Sequence, residues 1–172
     1  MNLQSNDFEL FDVPAQFSQD RLTLDARWKD LQHQAHPDKF AAQGPSAQRL
    51  ALQWSVRINE AYQRLKHPLK RAIYLCELNG APINAETNTA MSPAFLMQQM
   101  EWREALDEAK TIVDLDQIAA MSRKSMLEQL SKVEQLLDVD YNFTAAAQQV
   151  RGLMFTERFA SEVDARMDLL GQ

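Results

Sequence analysis

Three side chains in "QHQAHPDKF", His33, His36 and Asp38, are of types that do chemistry, and they lie close together in the chain. Three chemistries compete for them. Two histidines spaced i, i+3 share a helix face and, with Asp38, offer three metal ligands, but no further ligand is signalled nearby. A His–Asp dyad needs a nucleophile or a cofactor pocket, and the chain has no GxSxG and no phosphate-binding glycine loop. The third reading is a solvated corner. His36 then ends a helix where the dipole favours an imidazolium, Pro37 fixes the turn, and Asp38 forms a local Asx turn. The residues alone favour this third reading.

A second constellation lies in "SPAFLMQQMEWREALDEAK". Phe95, Trp102, Leu106 and Ala109 follow one helical stripe. Leu96, Met97 and Met100 fall largely off it, beside Glu101, Glu104 and Glu108. Adaptable methionines in an apolar patch rimmed by acids mark protein-binding surfaces, and a wide core face is the alternative. Phe155 is ambiguous in the same way, because Leu153, Met154 and Phe155 cannot all face one core.

These residues must be held by helices. The chain has 172 residues, four Gly and six Pro, with 45% hydrophobic and 24% charged residues, a composition that suits one domain or two small helical ones. Phe8 to Phe11 predicts a single turn, ended by Val13-Pro14. Asp20 predicts the N-cap of a helix running from Arg21 to His36, with Leu24, Trp28, Leu31 and Ala35 inward and Arg27, Lys29 and His33 on the other face. Pro37 stops it, and Pro37 to Pro45 forms an exposed loop. A second long helix is expected from Ser46 to Lys66, with Leu50, Trp54, Ile58, Ala61, Tyr62 and Leu65 inward, so that the two pack as an antiparallel hairpin.

After Leu78, residues 79–91 read as a connection between modules. Three helices follow, at about 92–109, 115–137 and 144–169, with Ser92, Asp114 and Thr144 as N-caps; their short connections predict an antiparallel three-helix bundle. Leu115, Ile118, Ser122, Met126, Leu130, Val133 and Leu137 trace the stripe of the middle helix. The last carries Val150, Leu153, Met154, Phe159, Val163, Met167 and Leu170. The expected organisation is all-α: 1–78, a connection at 79–91, and 92–172.

Charge divides the same way. Up to Leu78 ten basic residues face nine acidic ones; beyond it eight face fifteen. A net charge of −6 argues against nucleic acid as a partner. No window reaches the roughly 18 apolar residues of a membrane span, and the first residues lack signal-peptide character, so a cytoplasmic location is expected. Cys76, in an apolar context, reads as a buried hydrophobe. One cysteine supplies neither a disulfide nor the thiolates of a cluster.

His36-Pro37-Asp38-Lys39-Phe40 after a basic amphipathic helix, followed by "INEAYQRLKHP", resembles a J domain of the DnaJ family over roughly residues 6 to 78. That family usually has an aromatic residue before the histidine, where this chain has Ala35. With "HPLKRAIYLCELNG" and "TAMSPAFLMQQMEWREALDEA" the likeness extends over nearly the whole chain, to the HscB family of co-chaperones for iron–sulfur cluster assembly. The resemblance implies a protein without catalysis of its own. Its J domain would dock on an ATP-bound HscA-type heat-shock chaperone through His36, Pro37, Asp38, Arg27 and Lys29 and stimulate ATP hydrolysis. Its C-terminal bundle would bind an IscU-type scaffold through Leu96, Met97, Met100, Glu101, Glu104, Glu108 and Phe155. Some members carry a Cys-rich zinc extension that is missing here, so no metal or other cofactor is implied. A J-domain adaptor bringing another client to a general DnaK-type chaperone, and a metalloenzyme using His33, His36 and Asp38, are the alternatives.

Overall fold

The computed structural model describes residues 2–84 and 91–171, and among these every regular element is a helix. The fold class is all-α, as the composition implies. The elements are α1 (Asp7–Phe11), α2 (Arg21–Ala35), α3 (Pro45–Lys66), α4 (Pro68–Leu78), α5 (Pro93–Glu108), α6 (Ile112–Glu134) and α7 (Phe143–Leu170). A 3₁₀ segment, Pro37–Gln43, joins α2 to α3, and a π-helical segment, Gln135–Val139, follows α6. The chain forms two compact units that divide between Leu75 and Cys76, inside α4.

The first unit is organised by the α2–α3 hairpin. Asp20 caps α2, accepting the Leu22 amide. Leu24, Leu31 and Ala35 are buried as the period requires, with Ile58, Ala61, Tyr62 and Leu65 from α3. Leu50 is a correction: it is exposed, and Ala51 takes the buried position. The expected open loop is the 3₁₀ segment, bounded by Pro37 and by Gly44 at φ 97°. That left-handed backbone suits glycine, and Pro45 then starts α3 one residue before the expected Ser46.

α1 is short but well tied. Asn6 and Glu9 form a capping box, and Asp12 in the left-handed region ends the helix before Val13-Pro14 is reached. Asp7 is fully buried, 2.7 Å from Arg57 and 2.5 Å from Arg64, and its amide donates to the Tyr74 hydroxyl. Removing one partner of a buried ion pair strands the other charge. Asp7→Asn is therefore expected to destabilise this unit by about 3 kcal/mol. In urea unfolding of the full chain, the transition of the first unit should move to lower denaturant; an unmoved midpoint would mean that solvent satisfies both guanidinium groups.

The sequence reading has no counterpart to α4. Pro68 occupies its first turn, where a missing N–H costs nothing, so the proline that closes α3 also opens α4. Cys76, on α4, is fully buried, and burial pushes its thiol up to about 11. A thiol reagent at pH 8 is expected to leave Cys76 unmodified in the native protein and to label it stoichiometrically in denaturant. Rapid native labelling would place it at the surface.

In the second unit α5, α6 and α7 form a three-helix bundle. Trp102 and Leu106 pack with Leu115, Ile118, Ala119, Phe159 and Val163. Toward the other end, Phe95 lies 3.5 Å from where a Cβ on Gly152 would stand, and the Gln129 amide 3.8 Å from it. The order of these contacts makes α5 and α7 parallel and α6 antiparallel to both. Two helix starts differ from expectation. Thr111, not Asp114, caps α6. Asp114 is its capping-box partner, with its carboxyl held below the usual range by the amides of Lys110 and Thr111 and by the Thr111 hydroxyl. Asn142, not Thr144, caps α7.

Of the expected connection 79–91, residues 85–90 lie outside the described residues. The stretch before them is held by the bundle: Ile83 is buried, and buried Arg151 on α7 donates to the carbonyls of Ile83 at 2.6 Å and Pro82 at 3.3 Å.

Candidate functional site

The structure places the predicted residues on two surfaces, one in each unit. On the first, His36 ends α2 and starts the 3₁₀ segment. Its Nδ1 accepts the Asp38 backbone N–H at 3.2 Å, and the Asp38 carboxylate stands 3.6 Å from the same nitrogen. His36 is thus the C-cap residue of α2, as expected, while its imidazole caps the element that follows. Both side chains face solvent, 57% exposed for His36 and 92% for Asp38. Pro37 stands between them with its ring at the first position of the turn. A functional group on each side of a locked corner is a contact geometry, because little chain entropy remains to be lost on docking.

Arg27 and Lys29 are exposed on α2. They do not share a face, since two residues rotate about 200° around a helix. Arg27 flanks the buried stripe, 3.9 Å from Asp12. Lys29 lies on the column that continues to His33 and His36. Among the described residues no group of three His, Cys, Asp or Glu side chains is placed to hold a metal ion, so His33 is not gathered with His36 and Asp38 into a ligand set.

The second surface is on α5. Leu96 (49% exposed), Met97 (62%) and Met100 (71%) stand clear of the bundle, while Trp102 and Leu106 are buried, so the apolar residues off the stripe are outside the core. With Glu101, Glu104 and Glu108 they line a shallow depression that also includes Asp107 and Arg103. Phe155, 39% exposed on α7, is not among the residues that line this depression. Arg103 pairs with Glu162 across α5 and α7. Leu96 and Phe155 each lie seven residues, two helical turns, before a member of that pair, which puts them on the same face of the parallel helices. Arg103 holds the Glu162 carboxyl below its usual range, so the clamp persists as pH falls toward ordinary carboxylate values.

Sequence reasoning did not find Arg103, Glu162 or Arg158, whose guanidinium lies 5.8 Å from the centre of the Phe155 ring. Arg103 and Glu162 are distant in sequence and carry no local signal. Arg158, i+3 from Phe155, was within reach of helical spacing.

A solvent-facing His-Pro-Asp corner in one unit and an acid-rimmed apolar face in the other suit a protein that works through contacts. The comparisons name the family. Residues 91–164 match the model of the HSCB C-terminal oligomerisation domain. The chain is 48% identical to a co-chaperone protein HscB homolog of Burkholderia thailandensis and 49% identical to that of Burkholderia multivorans, each alignment covering 99% of this chain and 98% of the relative. Among solved structures, chaperone HscB from Vibrio cholerae superposes with a TM-score of 0.83 at 35% identity, covering 96% of this chain and 99% of the other. Human co-chaperone protein HscB does so with 0.90 at 25% identity, covering 96% and 84%. The chain belongs to the HscB co-chaperone family.

Proposed function

We propose that this protein is the J-domain co-chaperone of iron–sulfur cluster assembly, binding an IscU-type scaffold and stimulating the ATPase of an HscA-type chaperone in the cytoplasm. Residues 1–78 act as the J domain, 79–91 as the connection and 92–172 as the scaffold-binding bundle. His36, Pro37 and Asp38 meet the chaperone, with Arg27 and Lys29 steering the encounter toward an acidic surface. Leu96, Met97, Met100 and Phe155 form the apolar centre of the scaffold site, and Glu101, Glu104 and Glu108 its charged rim. The protein performs no catalysis itself. It biases a two-state ATPase by binding one state better than the other.

The observation that carries this reading is the α5 surface: large apolar side chains left outside a core that is complete without them, ringed by carboxylates. Such a patch suits a partner with apolar anchors and basic neighbours. The test is the steady-state ATPase of a purified HscA-type chaperone with this protein, with and without the scaffold, beside a DnaK-type chaperone. Synergy between scaffold and co-chaperone on the HscA-type enzyme supports the reading. Stimulation indifferent to the scaffold removes the client assignment.

A further inference from the structure

A hydrogen-bond ladder crosses the α2–α3 seam and stops one helical turn short of His36. Trp28 Nε1 donates to Asn59 Oδ1 at 2.9 Å, and Gln32 Nε2 donates to the same oxygen at 2.7 Å. Gln32 Nε2 also lies 3.3 Å from the Ser55 carbonyl, while Gln32 Oε1 accepts from Ser55 Oγ at 2.9 Å. Two i, i+4 pairs, Trp28/Gln32 and Ser55/Asn59, thus interlock. Below them the Trp28 ring stacks on Tyr62 with centroids 5.0 Å apart. The Tyr62 hydroxyl donates to Asp25 at 2.5 Å and, with Arg21, holds that carboxyl below its usual range.

His36 follows Gln32 by four residues, about one helical turn further along the chain. Its side chain is bonded only locally, to the Asp38 amide; of the three residues between, His33 and Gln34 are exposed and Ala35 brings a single methyl group to the interface. Among the described residues, the last side chain of α2 that fastens its end to α3 by hydrogen bonds is therefore Gln32. We propose that Gln32, locked by Asn59 and Ser55, is the positioning residue of the His36-Pro37-Asp38 corner. It sets where α2 ends against α3 and hence the direction in which the imidazole and carboxylate point. This role rests on the reading of that corner as the chaperone contact. Gln32 itself meets no partner. Its effect is to remove freedom from the corner before docking, so its loss raises the concentration needed to dock and leaves the docked state intact.

The full-length protein tests this with Gln32→Met, which keeps length and volume and removes both polar ends. An HscA-type chaperone is titrated with wild type, Gln32→Met and His36→Gln well below the unfolding midpoint, and ¹⁵N relaxation is measured at the amides of residues 36 and 38–40. Gln32→Met is expected to raise the half-stimulating concentration three- to tenfold with maximal stimulation within twofold, and to lower the order parameters of those amides. A residue that only stabilises the hairpin would shift the unfolding midpoint and move neither readout, which overturns the proposal. If Gln32→Met does not fold, Trp28→Phe and Ser55→Ala each remove one rung, and wild-type values in both for the two readouts overturn it equally. If His36→Gln keeps full stimulation, the reading of the corner fails and this role with it. If His36→Gln is inert while Gln32→Met equals wild type, only the positioning role fails.

Discussion

His36→Gln is expected to lower stimulation of the chaperone ATPase at least tenfold while leaving helicity, thermal midpoint and scaffold affinity at wild-type values. The imidazole is mostly exposed and packs into no core. Its one hydrogen bond is a local cap, from the Asp38 amide to Nδ1. Loss of such a bond is a small perturbation, because the amide faces water and finds a replacement there. Pro37 still sets the corner, and the ladder at Gln32 still sets the end of α2. What glutamine cannot supply is a planar ring that caps the turn on one side and presents a second nitrogen outward on the other. The effect should fall on maximal stimulation rather than on half-saturation, since the contact discriminates between two states of the partner instead of merely holding it. Circular dichroism, a thermal melt and a chaperone titration decide the matter. A mutant that unfolds would make the corner structural, and one that stimulates normally would move the contact elsewhere.

How far the fold was legible follows from what the sequence signal consists of. Long amphipathic periods locate α2, α3, α5, α6 and α7, since their buried faces repeat at the helical period over many residues. α4 escapes because its eleven residues, interrupted at the start by a proline, offer too few repeats. Cap positions shift by two or three residues because Thr111 and Asp114, like Asn142 and Thr144, all bear capping side chains, and only three-dimensional geometry decides which one accepts the amide. Leu50 and Ala51 exchange roles because which of two adjacent apolar residues is buried is decided by the elements packed against α3, not by the local sequence. The candidate sites show the same division. The corner is readable because His, Pro and Asp are adjacent in the chain. The position of Phe155 relative to α5 is not, because it depends on the parallel register of α5 and α7, which is pinned by the Arg103–Glu162 pair and by Trp102 against Phe159. The Trp28–Gln32–Asn59–Ser55 ladder is invisible for a similar reason: uncharged polar residues on an amphipathic helix look like solvated ones until the facing helix is known.

The double substitution Leu96→Ala, Met97→Ala is expected to do the reverse of His36→Gln. Both side chains lie outside the bundle core, so their truncation opens no cavity, and alanine is a better helix former than either. The thermal midpoint should hold, and scaffold-independent ATPase stimulation should stay at the wild-type level. Binding is different. In the proposed scaffold complex these two side chains pass from water into an apolar contact centred on α5, and residues in such positions account for most of an interface's energy. Together their loss should cost about 3 kcal/mol, roughly a hundredfold in affinity. The acid rim predicts a second signature. Glu101, Glu104 and Glu108 act at longer range than the apolar centre, so Glu104→Gln should slow association and weaken its dependence on salt, while the alanine pair should speed dissociation and leave the salt dependence unchanged. Binding kinetics at two ionic strengths separate the two contributions. If the alanine pair binds scaffold with wild-type affinity, the α5 face is solvent surface, and the client must be held by some other part of the bundle.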